Sequence, residues 1–388
     1  MTPEAKILLD SIRDLAPSIS ARSAEIDAAR RLPLDLLDQL KSAGCFRMFV
    51  PKSHGGLEVD VPASMEIIEA LAAADGSTGW VVMIGCETPM FLALLPREKF
   101  DRLYANGPDV IIAGAFAPRG TAEVVDGGYR VSGRWGFASG CQHSEWLFGN
   151  CIVMENGQPR QGAIPGAPGA RAMMFAPSKA RIIDSWSVNG LRGTGSHDIA
   201  VENVLVPEDD SFDIFLGRSC LEGPSMAEPV LYAALHIGAV AVGIAQRAVS
   251  EIVALANTNK RRLYASSSLA DSPLFQYRVG HADASLRAAR NLLRSETESV
   301  WHSAIAGNPV SLEGRAPLMG AITWAAQTCA AVVDVCYKAG GGSSPYDSSP
   351  LQRCMREIQT LTQHAAVAES WLTTAGATIL GRTSGFPV

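Results

Sequence analysis

Two long helical stretches with a strand-rich insert between them constrain this chain more than any single motif. From residue 4 to about 107, apolar side chains recur at three- and four-residue spacing, as in Ile7, Leu8, Ile12 and Leu15, and again in Leu36, Leu37 and Leu40. That period lines them up on one helix face. Helix starts are expected at Asp60 or Pro62 and near Pro96. From about 109 to 212 the pattern shortens. "DVIIAGAFA", "EVVDGGYRVSG", "EWLFGNCIV", "ARAMMFAP", "ARIIDSWSVNGL" and "HDIAVENVLVPED" are β-like runs cut by Gly, Pro and Asn. "DGGYRVSGRW" reads as a hairpin turning at Asp126-Gly127-Gly128, and this spacing predicts a small antiparallel sheet or barrel. After about 226 come four helical blocks, roughly 227–257, 272–305, 313–339 and 350–380. Long helices with short connections pack as a bundle. The expected class is α+β, mainly α: a helical domain over 1–108, an antiparallel β domain over 109–212 and a four-helix bundle over 213–388.

Composition narrows the function. A chain of 388 residues, 47% hydrophobic and 19% charged, can bury a large core. Its net charge of −6 argues against a nucleic-acid partner, since phosphate binding needs clustered Lys and Arg, and the densest basic run is "NKRR" at 259–262. "VLYAALHIGAVAVGIAQRAVSEIVALA" has membrane-spanning length but holds His236, Gln246, Arg247 and Glu251, so it reads as a buried bundle helix. The amphipathic start lacks the layout of a secretory signal. The eight cysteines show no C-x-x-C pair and no zinc spacing. These features predict a cytoplasmic small-molecule enzyme with reduced thiols and no membrane partner.

"VSGRWGFASGCQHSEW" (131–146) mixes three aromatics, a thiol and a histidine. It is either an aromatic hairpin packed on the sheet or the wall of a pocket for something flat. Four other segments help decide: "LPLDLLDQLKSAGCFRMFVPKSHGGLEVD", "NGLRGTGSHDIAVENVLVPED", "RRLYASSSLADSPLFQYRVGHADA" and "GGGSSPYDSSPLQRCMRE". Taken in chain order, the five resemble the motifs of the acyl-CoA dehydrogenase superfamily, nearly end to end. The resemblance implies that Phe137 lies against a flavin ring and Ser139 hydrogen-bonds it, with Trp135 beside them. Core packing between sheet and bundle is the alternative for both aromatics. It also implies that Arg261, or Arg262 next to it, reaches the flavin phosphate of a neighbouring subunit in a homotetramer; a guanidinium suits phosphate because it donates in a fork. Gly341, Gly342, Ser343 and Ser344 would offer backbone N–H groups to that phosphate, or form a plain interhelical turn. Arg192, Thr194 and Ser196 would border flavin or substrate, or only shape a strand turn.

The dehydrogenases need a glutamate base, and both positions where the family places it are alanine here, Ala365 and Ala233. Beside the first sits His364, a group able to move a proton at neutral pH. With the wordings "GRWGFASGC" and "GLRGTGS", this resembles the two-component flavin monooxygenases of the group D type. That branch implies reduced FMN (FAD being the alternative) from a separate NAD(P)H-dependent flavin reductase. A C4a-hydroperoxyflavin, kept in a dry pocket, then hydroxylates a phenol- or indole-like aromatic. His364 and Ser139 are the catalytic candidates; a packed bundle histidine is the other reading of His364. Phenol hydroxylases of this branch carry a histidine near residues 80–91, where this chain has Glu87 and Thr88. That leaves room for an indole-like compound or an amine, with Glu87 against a substrate N–H, or with His143 as the replacement base. The rival functions are an acyl-CoA dehydrogenase-type oxidoreductase, an N-oxygenase acting on an amine, and a flavin-fold binding module.

Overall fold

A computed structural model describes residues 1–163, 166–261, 263 and 265–382. Arg262 therefore lies outside the described residues. Seven helices come first: α1 (Pro3–Ala21), α2 (Ser23–Ala29), α3 (Leu34–Ala43), α4 (Val61–Ala74), α5 (Gly76–Cys86), α6 (Thr88–Leu92) and α7 (Arg97–Leu103). Their starts follow the local chemistry. Asp60 caps α4 by accepting from the Ala63 N–H at 2.7 Å with a proline in the first turn, and Pro96 precedes α7.

Eight strands follow: β1 (Ile112–Val125), β2 (Gly128–Trp135), β3 (Trp146–Glu155), β4 (Gln158–Pro159), β5 (Ala170–Phe175), β6 (Arg181–Ile183), β7 (Asp198–Pro207) and β8 (Ser211–Phe212). They form one sheet in the order β6-β7-β2-β1-β3-β5-β8, with β4 beside β3. The β1–β2 hairpin closes with Val125 opposite Gly128, where Gly127 takes φ 75°. The sheet is not wholly antiparallel as expected, because β1 pairs with β3 in parallel. The reason is the order: β2 and β3 flank β1 on opposite sides, so residues 136–145 must carry the chain over the end of β1.

The helices of the second half are α8 (Pro229–Ala256), α9 (Pro273–Ile305), α10 (Leu312–Gly340), α11 (Pro350–Leu361) and α12 (Ser370–Ile379). The block expected as one helix over 350–380 is two. Residues 362–369 leave the helical path, and the side chain of His364 accepts from the Ala366 N–H at 3.2 Å to cap a short 3-10 turn, Ala365–Val367. The Trp371 indole donates to Ala365 O at 2.9 Å across the break. These bonds replace the helical ones lost there.

Helix α8 is the centre of the molecule, packed against α4, α9, α10 and α11, with Tyr232, Leu235, Val240 and Ala245 sealed. One apolar core joins the first and last helices, and a second fills the sheet around Trp135.

Candidate active site

Residues 136–145 turn sharply as soon as they leave β2. Phe137 takes φ 65°, a left-handed conformation that a bulky side chain adopts only under constraint. Its ring ends up 71% exposed, edge-on to Trp186 at 6.1 Å. The loop is zipped to residues 190–197 by two backbone bonds, Ala138 N–H to His197 O at 3.2 Å and Gly140 N–H to Thr194 O at 2.9 Å, and within the second loop Thr194 N–H donates to Leu191 O at 3.2 Å.

Between the two loops lies a chain of polar contacts. The Trp80 indole N–H donates to Ser139 Oγ at 3.0 Å. Ser139 Oγ meets Ser196 Oγ at 2.7 Å, Ser196 Oγ meets Thr194 Oγ1 at 2.7 Å, and Thr194 donates to Leu191 O at 2.7 Å. All four side chains are buried. Trp80 is held in turn by α5, whose first turn Asp75 caps by accepting from the Thr78 N–H at 2.8 Å and its hydroxyl at 2.9 Å.

His364 comes from the opposite half of the chain. Its ring stands edge-on to Trp80, 5.5 Å between centroids and 67° between planes. Because Nδ1 accepts the Ala366 N–H, the proton of the neutral ring sits on Nε2, the nitrogen left to serve as a donor. The residue is exposed, yet atoms crowded around the ring cost it hydration and lower its pKa below the ordinary imidazole value. Ala365 and Ala233 put no carboxylate at either position where a dehydrogenase base would stand.

The structure thus gathers Ser139, Thr194, Ser196 and His364 around Trp80, with Phe137 on the same loop as Ser139. Trp80 is the member that sequence reading missed; an aromatic heading the segment 80–91 was the available signal. Trp135, by contrast, is no pocket wall. It is fully buried in the sheet core, donating to Asn150 O at 2.7 Å, over a bed where a Cβ on Gly149 would fall 2.3 Å from its ring. Core packing was the right alternative for that aromatic.

Three other candidates already have partners, and a fourth has none among the described residues. Glu87 is buried, and its Oε1 lies 2.8 Å from His236 Nδ1, while His236 Nε2 lies 2.8 Å from Ser64 Oγ. Burial pushes the Glu87 carboxyl up, against the pull of its His236 hydrogen bond. Thr88 Oγ1 accepts from the Ile112 N–H at 3.0 Å, and so ties α6 to the start of β1. Arg192 donates to Asp27 O at 3.2 Å and to Val188 O at 3.0 Å, which makes it a clamp between α2 and its own loop. His143 is enclosed, with neither ring nitrogen hydrogen-bonded among the described residues. Burial, with Arg31 and Lys41 nearby, pushes its pKa down to about 4.

The candidate phosphate-binding residues stand as follows among the described residues. Arg261 is exposed and pairs through its backbone with Ser268. Gly341, Gly342 and Ser343 form a 3-10 turn after α10, and Ser344 spends its hydroxyl on Tyr337 O at 2.7 Å.

The residues present fit a flavin: an exposed aromatic edge, a hydroxyl held by its neighbours and an imidazole donor converge at one strand end. Comparison with known proteins points the same way. The family model for the acyl-CoA dehydrogenase N-terminal domain matches residues 2–95, and that for the C-terminal domain matches residues 235–369. The chain is 36% identical over 381 residues to the indole-3-acetate monooxygenase of Pseudomonas putida, covering 98% of this chain and 94% of that one. It is 30% identical over 361 residues to the flavin-dependent monooxygenase oxygenase subunit HsaA of Rhodococcus jostii (strain RHA1), covering 91% and 92%. XiaF from Streptomyces sp., solved with FADH2 and glycerol, matches with a TM-score of 0.92 over 99% of this chain and 97% of that one. At 24% identity, that last likeness is one of fold.

Proposed function

The chain belongs to the acyl-CoA dehydrogenase family and, within it, to the flavin-dependent monooxygenases, and we propose that it hydroxylates an indole-like aromatic beside Ser139 and His364. One observation carries the reading: alanines stand where a thioester dehydrogenase needs its base, and an imidazole whose Nδ1 is occupied by the Ala366 N–H stands beside the first of them, Ala365. The identity with an indole-3-acetate monooxygenase supports the indole class.

Reduced flavin, when bound, activates dioxygen and delivers one of its oxygen atoms to the substrate. The rest is the work of this chain. Phe137 offers its exposed ring as a wall for the flat cofactor. Ser139, held by Trp80 and Ser196, would meet the ring edge near N5 or at a ring carbonyl. His364 holds a proton at Nε2 and gives it to, or takes it from, the oxygen being transferred. The Trp80 indole, packed edge-on to that imidazole, limits the entry of water.

The cofactor reading is FMN, with FAD the alternative, supplied by a separate NAD(P)H-dependent flavin reductase in the cytoplasm. Arg261 and residues 341–344 hold the phosphate across a subunit boundary in a homotetramer. Exposed Leu274, Tyr277, Ile379 and Leu380 on α9 and at the end of α12 supply apolar surface for that assembly.

The test combines the protein with NADH, a flavin reductase, FMN or FAD, and isotopically labelled dioxygen. Candidate substrates are indole-3-acetate, indole and a phenol. Label in one hydroxyl of an indole product, with little peroxide released, is the expected result. Oxygen turned wholly into peroxide with every aromatic would overturn it.

A further inference from the structure

The chain of hydroxyls ending at Ser139 has a direction. A carbonyl oxygen only accepts, so Thr194 spends its single proton on Leu191 O. Thr194 Oγ1 must then accept the proton of Ser196, and Ser196 must accept that of Ser139, since two oxygens 2.7 Å apart cannot both present lone pairs. Trp80, whose indole nitrogen only donates, fills one acceptor site on Ser139. Ser139 is left with its proton committed and one lone pair open. At the rim of the site this hydroxyl can accept a hydrogen bond and cannot offer one.

That polarity selects between two redox states. In the isoalloxazine ring, N5 carries a hydrogen when the ring is reduced by two electrons and only a lone pair when it is oxidised. We propose that Thr194 and Ser196 determine cofactor specificity, by fixing Ser139 as an acceptor that favours reduced flavin and turns oxidised flavin away. The proposal rests on the first of the two contacts read above for Ser139, the one at N5 and not at a ring carbonyl. It gives a two-component oxygenase what its reaction sequence needs: capture of the reductase's product, and release of the spent cofactor. The fold supplies the rigidity. Leu191 and Gly195 both take left-handed conformations, φ 51° and 52°, around the 3-10 turn Arg192–Thr194, so the terminal acceptor and Thr194 sit in a tightly fixed turn.

Anaerobic titration of oxidised and photoreduced FMN measures the ratio of their two dissociation constants. The wild-type protein should bind the reduced form tighter by on the order of tenfold or more, the worth of exchanging a hydrogen bond for an unmade one. Thr194→Val frees the Ser196 proton to point back, and Ser196→Ala removes the acceptor of the Ser139 proton. In both variants Ser139 can donate, and the ratio should fall towards one, mainly through tighter binding of the oxidised form. Thr194→Ser should restore it. The midpoint potential of bound FMN offers a second readout, shifting about 30 mV for each tenfold in the ratio. An unchanged ratio in either folded variant, or equal weakening of both forms, overturns the proposal. A wild-type protein that binds neither form would overturn the flavin reading itself.

Discussion

Two polar chains cross this molecule, and they differ in what surrounds them. One runs from Trp80 through Ser139, Ser196 and Thr194 to the carbonyl of Leu191. The other runs from Glu87 through His236 and Ser64 to the carbonyl of Val61. Each ties three separate segments together and ends on a backbone oxygen. The second is closed: His236 is 0% exposed and stacks on Phe49 at 5.7 Å. The first opens between an exposed phenyl ring and an exposed imidazole, Phe137 and His364. A polar chain with every neighbour sealed is scaffolding. One that retains an open lone pair beside exposed side chains is where a ligand can be read.

The comparison breaks most visibly at the closed chain. Glu87→Ala strands His236 in the core and should cost about 3–5 kcal/mol of folding stability, read as a shifted denaturation midpoint. A loss under 1 kcal/mol would mean the pair is not the tie described. His143 comes next, buried like the closed chain but adjoining the open one. The unfolded chain protonates this ring near 6.5, the folded chain only at about 4. The unfolded state therefore binds the extra proton, and stability falls as pH drops through that window, by about 3 kcal/mol in all. Urea melts at pH 7 and 4.5 should show this loss in the wild type and much less of it in His143→Phe; parallel losses would remove the assignment.

At the open chain the effects move from stability to chemistry. His364→Ala should lower coupled product formation about a hundredfold, the lower range for a general acid or base, and leave the far-UV spectrum unchanged. Normal coupling would return His364 to the role of a turn cap. Smallest is Phe137→Gly, which relieves the left-handed strain and should raise stability by about 1 kcal/mol while weakening flavin binding. A variant less stable than the wild type would show that the exposed ring is held by packing instead.

What the sequence makes legible is local. The caps at Asp60 and Pro96, the Gly127 turn and the three long bundle helices α8, α9 and α10 all follow from short-range chemistry. The parallel pairing of β1 with β3 does not, because it depends on which side of β1 each neighbour falls. Nor does the break between α11 and α12, since apolar spacing runs on through "LTQHAAVAESWL" and only the capping bonds of His364 and Trp371 interrupt it. Trp135 and Phe137 make the point most sharply. Two aromatics two positions apart would share a face in a continuing strand, yet the strand ends at Trp135, which is sealed in the sheet, and Phe137 beyond it is left-handed and exposed. His236 and Glu87 are 149 positions apart, a pairing no spacing rule reaches.

The crossing from β2 to β3 needs to span only two strand spacings, about 10 Å, and ten residues could stretch to about 33 Å. Its surplus length is folded into the kink at Phe137 and the 3-10 turn Cys141–His143. The sheet dictates where that excess begins and ends, and the facing loop at 190–197 holds its middle. Side chains there can thus change without disturbing a strand, whereas shortening the crossing would draw out the kink that turns Phe137 to the surface.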